Sequence, residues 1–305
     1  MRDFRLIQIQ TTSVCNGRCI VCPYKDSWFI KNPGKMSEQL FDRILRDIKR
    51  EDPNFDGLIC PYLMNEPFAD SNILNRIRKI YKMFPNATVE VSTNCELLDK
   101  EKATELVNIL KDKRCKIVIS HHGINKKTFE QTMGINYEKA LTNAINLISI
   151  SNGRIPIAIQ DMATSIDNQY RLIQPRRIER YWKDLFDDAE LAWNNVWLST
   201  MKFHNRAGNV IVDGWEYNKK VREIDENNPF DCYRANGECL HILYDGDVAL
   251  CCMDYHKEVI YGNLKDQTIS EVFESKAYKN IYNQVHGNIK SPDDFICKRC
   301  QSPGG

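Results

Sequence analysis

The sequence predicts an α/β protein that consists of a partial (β/α)6 barrel and a small cysteine-rich module. Two observations predict the barrel: strand-like and helix-like segments alternate from residue 6 to about residue 199, and they form six such units. This alternation is typical of a parallel sheet covered by helices, here an open, TIM-like barrel. The third observation is that six of the twelve cysteines lie between residues 232 and 300.

The elements of the predicted barrel follow from hydrophobic periodicity. Helices are predicted where apolar residues recur three and four positions apart, and strands where short runs alternate or are continuously apolar. The predicted strands are 5–11, 56–63, 87–93, 115–120, 154–162 and 191–199, and the predicted helices are 38–50, 72–84, 100–110, 137–150 and 168–186. Because ligands of such folds bind at the carboxyl ends of the strands, functional residues are expected there.

A second module is predicted to follow the barrel. Residues 214–231 are polar and lack periodicity, which divides the chain into a barrel at 1–213, a linker at 214–231 and a module at 232–305. Residues 239–243 and 248–252 alternate around Asp245-Gly246, a turn signal that predicts a β-hairpin. A helix is predicted at 270–282.

Composition excludes several classes of function. The 305 residues carry a net charge of +1 and short basic runs flanked by acids, which argues against a nucleic-acid surface. No window approaches the roughly 18 apolar residues of a membrane helix, and no signal peptide is present, so we expect a soluble cytoplasmic protein that does not bind membranes. In that reducing compartment, metal explains twelve cysteines better than disulfides do.

A cysteine loop directly follows the first strand. Cys15, Cys19 and Cys22 stand at C-x3-C-x2-C spacing. Three thiolates are one too few for closed structural zinc, whereas a [4Fe–4S] cube held by three cysteines keeps one iron open. Gly17 allows a tight loop, and Arg18 places positive charge near an anionic cluster. The alternatives are a zinc site with a distant fourth ligand, or three unrelated core cysteines.

Polar residues also stand at the predicted strand ends. Asn65-Glu66-Pro67 follow the second strand, and Ser92 and Asn94 end the third. Taken alone, a Glu-Pro pair is ordinary loop chemistry, and Ser or Asn here could simply cap a helix.

Two further candidates lie beyond the fourth and sixth strands. His121 and His122 are adjacent and so point to opposite sides of an extended chain, which lets at most one face the barrel mouth, in a catalytic or a purely hydrogen-bonded role. Arg206 lies between Asn205 and Ala207-Gly208 and could donate two hydrogen bonds to vicinal hydroxyls or to a carboxylate. The alternative for Arg206 is a surface salt bridge.

Four cysteines of the second module form a candidate metal site. Cys297 and Cys300 make a C-x2-C clasp, and Cys232 and Cys251 would complete the set. Cys252, next along the predicted strand, would then point to the opposite face. Spacing alone leaves structural zinc as a competing occupant.

The C-x3-C-x2-C loop resembles that of the radical S-adenosylmethionine (radical SAM) superfamily. The run of Cys232, Gly246, Cys251, Cys297 and Cys300 resembles the SPASM/twitch domain found in many of its members. The resemblance implies two [4Fe–4S] clusters and SAM as cofactors: the first cube would bind SAM, and its reductive cleavage would give a 5′-deoxyadenosyl radical. The second cube would be an auxiliary cluster held entirely by protein.

The resemblance also assigns roles to the strand-end residues. Asn65, Glu66 and Pro67 stand where the superfamily binds the SAM ammonium, although Asn65 replaces the usual glycine. Ser92 and Asn94 stand where relatives face the SAM ribose and carboxylate. A related dehydrogenase has histidine followed by a small residue at the position of His122, which favours His122 over its neighbour.

Two reactions on an alcohol carbon compete in this interpretation. A dehydrogenase would pass an electron from the substrate radical to the auxiliary cluster, whereas an epimerase would quench that radical with a thiol hydrogen. Cys252 favours the epimerase, with Arg206 and His122 binding hydroxyls of an aminosugar or aminocyclitol. The alternative for Cys252 is a packing role in the hairpin.

Other functions and partners remain open at this point. Peptide modification, as in ribosomal peptide maturation or sulfatase activation, is less favoured because the cysteine loop begins at residue 15 and leaves no room before it for a leader-recognition domain. A zinc-stabilised binding module is the non-enzymatic alternative. We expect a small-molecule substrate, a peptide as the alternative substrate, and an electron donor such as flavodoxin or ferredoxin.

Overall fold

The computed structural model describes residues 3–162, 175–201, 205–210, 222–230 and 232–301. Within these ranges the strands are β1 Leu6–Ile9, β2 Leu58–Cys60, β3 Thr88–Thr93, β4 Cys115–Ser120, β5 Ile157–Met162, β6 Val196–Met201, β7 Cys239–Ile242, β8 Asp247–Ala249 and β9 Ile260–Asn263. The helices are α1 Trp28–Lys31, α2 Glu38–Glu51, α3 Ile73–Met83, α4 Lys100–Leu110, α5 Lys126–Met133, α6 Tyr137–Ser151, α7 Pro175–Asp188, α8 Ile269–Glu274, α9 Lys276–Val285 and α10 Ile296–Arg299.

Six parallel strands form the first part of one sheet. The order within the described residues is β6-β5-β4-β3-β2-β1-β7-β8-β9, so the first six strands follow one another in chain order. Helices lie between them along the chain, as the alternation predicts. The predicted fold class, a (β/α)6 partial barrel with a small C-terminal module, is confirmed.

Alternate residues of each strand face the helices. Ile7, Ile59, Val89 and Ile117 are fully buried in the main hydrophobic core. Their neighbours along each strand point to the opposite, concave face, because side chains alternate across a strand. The apolar face fixes the register, and the other face is left to carry polar groups.

The C-terminal hairpin extends the same sheet. Strand β7 pairs in parallel with β1, from Leu6 opposite Cys239 to Ile9 opposite Ile242. Strands β8 and β9 then continue the sheet in antiparallel orientation. The predicted module is therefore joined to the barrel by a continuous hydrogen-bonded ladder, and residues 214–221 and 231 of the predicted linker lie outside the described residues.

Three elements differ from the sequence prediction. Strand β8 ends at Ala249, so Cys251 and Cys252 lie in the following turn rather than on the strand, and strand alternation cannot orient them. The predicted helix 270–282 is two helices, because the Ser275 side chain accepts a hydrogen bond from the Tyr278 N–H and caps a new helix there. The eight-residue helix α5 is not predicted at all.

Two further points concern the helices. Residues 168–174 of the predicted helix 168–186 lie outside the described residues, and the described part begins at Pro175. None of the described helices combines the length and the apolar content that crossing a membrane requires.

Candidate functional site

The cysteine loop wraps closely around its own sulfur atoms. A Cβ atom placed on Gly17 would lie 3.4 Å from the Cys19 Sγ and 3.6 Å from the Cys15 Sγ. The Cys22 N–H donates to the Cys19 carbonyl at 3.1 Å, which closes the turn between the last two cysteines. A side chain at position 17 would therefore occupy the space beside the sulfurs, where a cluster would sit.

The loop is held in place by the end of α5. The Arg18 N–H donates to the Met133 carbonyl, and the Ile20 N–H donates to the Thr132 carbonyl, both at 2.9 Å. The Arg18 guanidinium folds back onto the carbonyl oxygens of Cys15 and Gly17, at 2.8 and 2.7 Å. The helix that sequence periodicity misses is thus the element that anchors the loop.

Two tyrosines complete the surroundings of the loop. The Cys15 N–H donates to the Tyr24 Oη at 2.9 Å, so Tyr24 supports the loop backbone. The Tyr255 Oη, which comes from the C-terminal module, lies 3.5 Å from the Cys22 Sγ. Tyr255 is buried and was not predicted as a site residue, because nothing in its local sequence connects it to a loop more than 200 positions earlier.

Glu66 joins the first three strand ends. Its buried carboxylate accepts hydrogen bonds from the Phe68 N–H at 3.1 Å, the Thr93 hydroxyl at 2.7 Å and the Asn94 N–H at 2.9 Å. The Glu66 N–H in turn donates to the Val14 carbonyl at 3.1 Å, at the start of the cysteine loop. Burial raises the pKa of Glu66 to about 7, although these three donors act in the opposite direction.

The residues beside Glu66 have different surroundings. Pro67 begins a short 3-10 turn, Pro67–Ala69. The Asn65 Oδ1 accepts from the Leu63 N–H at 2.9 Å, whereas the buried Asn65 Nδ2 has no hydrogen-bond partner in the described part of the chain. A donor of this kind at a strand end is available to a bound molecule.

A polar network links the end of β3 to the cysteine loop. The Asn94 Nδ2 donates to the Asn16 Oδ1 at 2.9 Å, and the Asn16 Nδ2 donates to the Glu96 carboxylate. The Glu96 N–H donates back to the Asn94 Oδ1 at 3.0 Å. Asn16 and Glu96 were not among the site residues predicted from the sequence. For Asn16 the available signal was that a polar residue lies inside the cysteine loop. Ser92 lies apart from this network, with its Oγ 3.5 Å from the Ser120 Oγ.

The two adjacent histidines separate as strand geometry predicts. His121 stacks on Tyr181 and packs against Phe129 and Trp182, with its Nε2 3.3 Å from the Tyr181 Oη. The His122 Nδ1 accepts from the Met162 N–H at 3.3 Å, which leaves the proton of a neutral imidazole on Nε2. Burial, and then the charge of Arg206, lower the pKa of His122 to about 4.

Arg206 sits on a turn with unusual backbone angles. Arg206 and Ala207 have φ angles of 48° and 56°, in the left-handed region that non-glycine residues rarely adopt. The Asn205 Nδ2 donates to the Arg299 carbonyl at 2.9 Å, and the Asn209 Nδ2 donates to the Met253 carbonyl at 3.0 Å. The C-terminal module therefore holds this turn from both ends.

The charge of Arg206 affects the pKa values of three other groups of the candidate site. Burial raises the pKa of the Cys19 thiol to about 12 and also raises that of the Cys252 thiol, and the charge of Arg206 acts against both increases, whereas for His122 burial and Arg206 both lower the pKa. In each of these groups burial is the larger influence on the pKa. The Arg206 guanidinium lies 3.9 Å from the sulfur of Met162, whose N–H donates to His122, and 3.9 Å from the sulfur of Met253, the residue after Cys252, so the three predicted residues have shared neighbours.

The four predicted ligands of the second module line one cavity. Cys232, Cys251, Cys297 and Cys300 surround it with Arg234 and apolar side chains, which are Ala207, Phe230, Ala235, Leu250, Met253 and Ile296. Burial, then the charges of Cys300 and Cys232, raise the pKa of the Cys297 thiol well above its usual range. Such a set of thiols is stable as thiolates only around a positively charged group.

Residues 232–301 match the family model described as the SPASM iron-sulfur cluster-binding domain. The fold matches solved structures, among them BtrN in complex with AdoMet and 2-DOIA, at a TM-score of 0.62 and 17% identity over 99% of this chain and 95% of that one. The chain shares the fold of these solved structures, and its residues 232–301 match the SPASM domain.

Other relatives are similar at the same low level of identity. The curated S-adenosyl-L-methionine-dependent 2-deoxy-scyllo-inosamine dehydrogenase of Niallia circulans is 20% identical over 98% of this chain and 93% of its own length. Native anSMEcpe with bound AdoMet has a TM-score of 0.62 at 14% identity, covering 96% and 87% of the two chains. Streptococcus suis SuiB bound to the precursor peptide SuiA has a TM-score of 0.56 at 17% identity, covering 98% and 76%.

The residues of this chain fit the cofactors of radical SAM enzymes. The space beside Gly17 lies against the sulfurs of two predicted ligands of the SAM-binding cube. The apolar cavity of the SPASM domain is lined by four cysteines, which suits a cluster with a complete protein ligand set. Among the described residues, no three His, Cys, Asp or Glu side chains are close enough to hold a single metal ion. A cube is wider than one ion, because each thiolate binds a different iron.

Proposed function

We propose that this chain is a radical SAM epimerase that inverts an alcohol carbon of a small polyhydroxylated substrate, an aminosugar or an aminocyclitol. The observation that carries the proposal is the position of Cys252. Burial raises the pKa of its thiol, and the charges of Arg234, at the SPASM cavity, and Arg206, near the cysteine loop, act against that increase. Cys252 is nevertheless not among the residues that line the SPASM cavity. A thiol that is not a cluster ligand can donate a hydrogen atom.

The bound cofactors would supply the radical. When bound and given one electron by the reduced donor, SAM and the first cluster would supply a 5′-deoxyadenosyl radical able to remove a hydrogen atom from the substrate carbon. Cys15, Cys19 and Cys22 would hold the first cluster, and Cys232, Cys251, Cys297 and Cys300 the second. Asn65, Glu66 and Pro67 would bind the amino group of SAM, and Ser92 and Asn94 would face its ribose and carboxylate.

Glu66 would act mainly by holding these parts together. Its carboxylate already accepts three hydrogen bonds, which fix Phe68, Thr93 and Asn94 relative to the start of the cysteine loop. The Asn65 Nδ2, with no partner in the described residues, is the group of this set that can donate to a carboxylate or hydroxyl of bound SAM.

Cys252, Arg206 and His122 would act on the substrate itself. The His122 Nε2–H and the Arg206 guanidinium are donors that can bind neighbouring hydroxyls and expose one face of the carbon to SAM. The Cys252 thiol would then deliver its hydrogen atom to the opposite face. Restoring that thiol takes one electron and one proton, the electron being supplied by a reduced flavodoxin or ferredoxin.

The test is turnover in D2O with Cys252→Ala and a matched thiol control. Anaerobically reconstituted wild-type protein should give a product of unchanged composition that gains one deuterium at the inverted carbon. Cys252→Ala should still consume SAM while losing epimerised product by at least roughly a hundredfold, since Cys252 is the proposed hydrogen donor. Cys115→Ala removes a buried thiol at the far end of β4 and should behave as wild type.

Oxidation of the alcohol to a ketone is the second candidate. It is favoured by the similarity to the 2-deoxy-scyllo-inosamine dehydrogenase along almost the whole chain. A product two hydrogens lighter than the substrate, formed equally by Cys252→Ala, would identify a dehydrogenase and reject the thiol-donor role.

Peptide modification stays as a third candidate, supported by the similarity to SuiB bound to its precursor peptide. The fold does not separate these candidates, because the TM-scores of BtrN and anSMEcpe are equal and that of SuiB is only slightly lower.

A further inference from the structure

A row of polar side chains crosses five adjacent strands on the concave face of the sheet. Gln8 pairs with His241 on one side and with Cys60 on the other, and Glu90 pairs with Lys116. Cys60 and Glu90 are neighbours too, because the preceding residues, Ile59 and Val89, are paired. Residues in register on adjacent strands point to the same face, so these five side chains form one layer.

This layer differs from the usual interior of an α/β barrel. Such interiors are packed by layers of apolar, mostly branched side chains. The layer beneath the row follows that rule in part, since Leu6, Leu58 and Cys239 are paired there. A whole layer of hydrogen-bonding and charged groups directly above it is therefore unusual for a packed core.

The closed end of the row contains buried groups that lack partners. His241 is 1% exposed and Gln8 is 9% exposed. Neither ring nitrogen of His241, nor the Gln8 Oε1, makes a hydrogen bond of good geometry among the described residues, although the backbone and the charge of Arg234 lie close to the His241 ring. Because buried polar groups are nearly always satisfied, these atoms indicate a molecule that completes them. A neutral His241, whose pKa burial lowers to about 3, offers one donor and one acceptor.

The open end of the row is charged. The Lys116 Nζ lies 3.2 Å from the Glu90 Oε2, and the Tyr62 Oη donates to the Glu90 Oε1 at 2.5 Å. The Lys116 side chain is 40% exposed and that of Glu90 is 17% exposed, so the row opens to solvent on the β4 side. A small molecule could reach the buried His241 and Gln8 from there.

The layer above the row contains small side chains on the side of β3 to β5 and the larger Gln10, Tyr62 and Leu243 on the side of β7, β1 and β2. Ser92 is paired with Val118, and Val118 with Ala158, in the next layer toward the carboxyl ends. The row lies about 7 Å below Ser92, at about 3.3 Å per residue. A small ring bearing several polar groups would therefore lie against Ser92 and Ala158, on the side where the layer above the row is small.

We propose that this row, His241, Gln8, Cys60, Glu90 and Lys116, is the floor of the substrate pocket and selects a polyhydroxylated amine. Hydroxyl groups of the substrate, each of which can donate and accept, form the hydrogen bonds that His241 and Gln8 lack. The ammonium group of the substrate binds the Glu90 carboxylate, which Tyr62 and Lys116 hold in place. The proposal rests on the small-molecule function proposed above and names the part of the pocket that recognises the substrate.

The test is calorimetric binding to anaerobic holoprotein with SAM and without reductant, so that no turnover occurs. The probes are 2-deoxy-scyllo-inosamine and the same cyclitol with a hydroxyl in place of the amine. Wild-type protein should bind the amine more tightly, and Glu90→Gln should lose that preference by roughly tenfold. Glu105→Gln makes the same chemical change in an exposed ion pair with Arg78 on the outer helices and should bind as wild type.

His241 provides the second arm of the test. His241→Leu should weaken both probes by roughly tenfold while leaving the melting temperature of ligand-free protein equal or higher, since it removes unsatisfied buried groups. His241→Gln restores a donor and an acceptor and should recover part of the affinity, which a purely structural role would not produce. Gln8→Leu serves in the same way should His241→Leu fail to fold.

The outcomes separate the floor from the reaction. The proposed pocket floor is wrong if the variants bind the probes as tightly as wild type does. It is also wrong if wild-type protein binds neither probe, because water alone would then complete the polar row. If the product is a ketone and the Glu90 and His241 variants bind the probes poorly, the epimerase proposal is rejected and the proposed pocket floor is supported. If the product is epimerised and these variants bind the probes normally, the epimerase proposal is supported and the proposed pocket floor is rejected.

Discussion

At the residue scale, spacing predicts most of the cluster ligands, and long-range contacts determine the rest of the candidate site. Five of the seven predicted cluster cysteines follow from local spacing, whereas Cys232 and Cys251 are assigned by the resemblance to SPASM/twitch domains. Glu96 and Tyr255 are not recognisable, since each reaches the site through a contact with a distant part of the chain, whereas Asn16 lies inside the cysteine loop and has a local signal. The assignment of Cys252 remains a prediction, and the reason first given for its orientation is wrong because β8 ends before it.

His121 provides a test of the buried aromatic cluster behind the sheet. Burial lowers the pKa of His121 to about 3, so unfolded chains bind a proton near pH 6.5 that the folded protein does not. The stability contributed by neutral His121 is therefore lost as pH falls below about 6.5, by about 2 kcal/mol at pH 5.

The matching experiment compares wild type with His121→Phe by denaturant unfolding at pH 7 and pH 5. Phe keeps the ring packing and cannot titrate, and Tyr181 keeps its hydrogen bond to Tyr137 at 2.8 Å. The variant should lose less stability between the two pH values than wild type does. An equal loss in both proteins would show that His121 is not the titrating group.

At the element scale, the sequence predicts elements well where caps and periodicity agree. Helix α4 is observed at its predicted bounds, with the Asp99 side chain accepting from the Lys102 N–H at its start, and β4 is observed at its predicted bounds as well. Helix α5 escapes prediction because it spans only eight residues before Gly134 ends it in the left-handed conformation. The turn at 205–209 takes its shape from contacts with the SPASM domain, which local sequence does not reveal.

That turn can be loosened without touching Arg206. Asn205 donates to the Arg299 carbonyl and accepts from the Gln301 N–H, so Asn205→Ala should destabilise the protein by about 1–3 kcal/mol through lost buried hydrogen bonds. Iron content should stay unchanged, while turnover falls because Arg206 is no longer held. Asn236→Ala removes a local turn bond to the Glu238 N–H instead and is the control. Wild-type turnover in Asn205→Ala would mean that Arg206 does not depend on this anchor.

At the scale of the whole molecule, one sheet carries both proposed cluster sites. Strand β7 pairs with β1, the cysteine loop follows β1, and the SPASM cysteines surround the cavity beyond the hairpin. The sequence indicates the two modules, but it does not indicate that they share a sheet, because β7 and β1 are more than 200 residues apart. The polar row across five strands follows from that pairing and could not be seen in the sequence.

The most direct test of the account is the formation of 5′-deoxyadenosine by anaerobically reconstituted protein given SAM and a reductant. Wild-type protein should cleave SAM and contain about eight irons per chain, four for each cube. Cys297→Ala should keep about half of the iron and still cleave SAM, whereas Cys19→Ala should not cleave it. Wild-type protein that leaves SAM intact under these conditions would contradict the account.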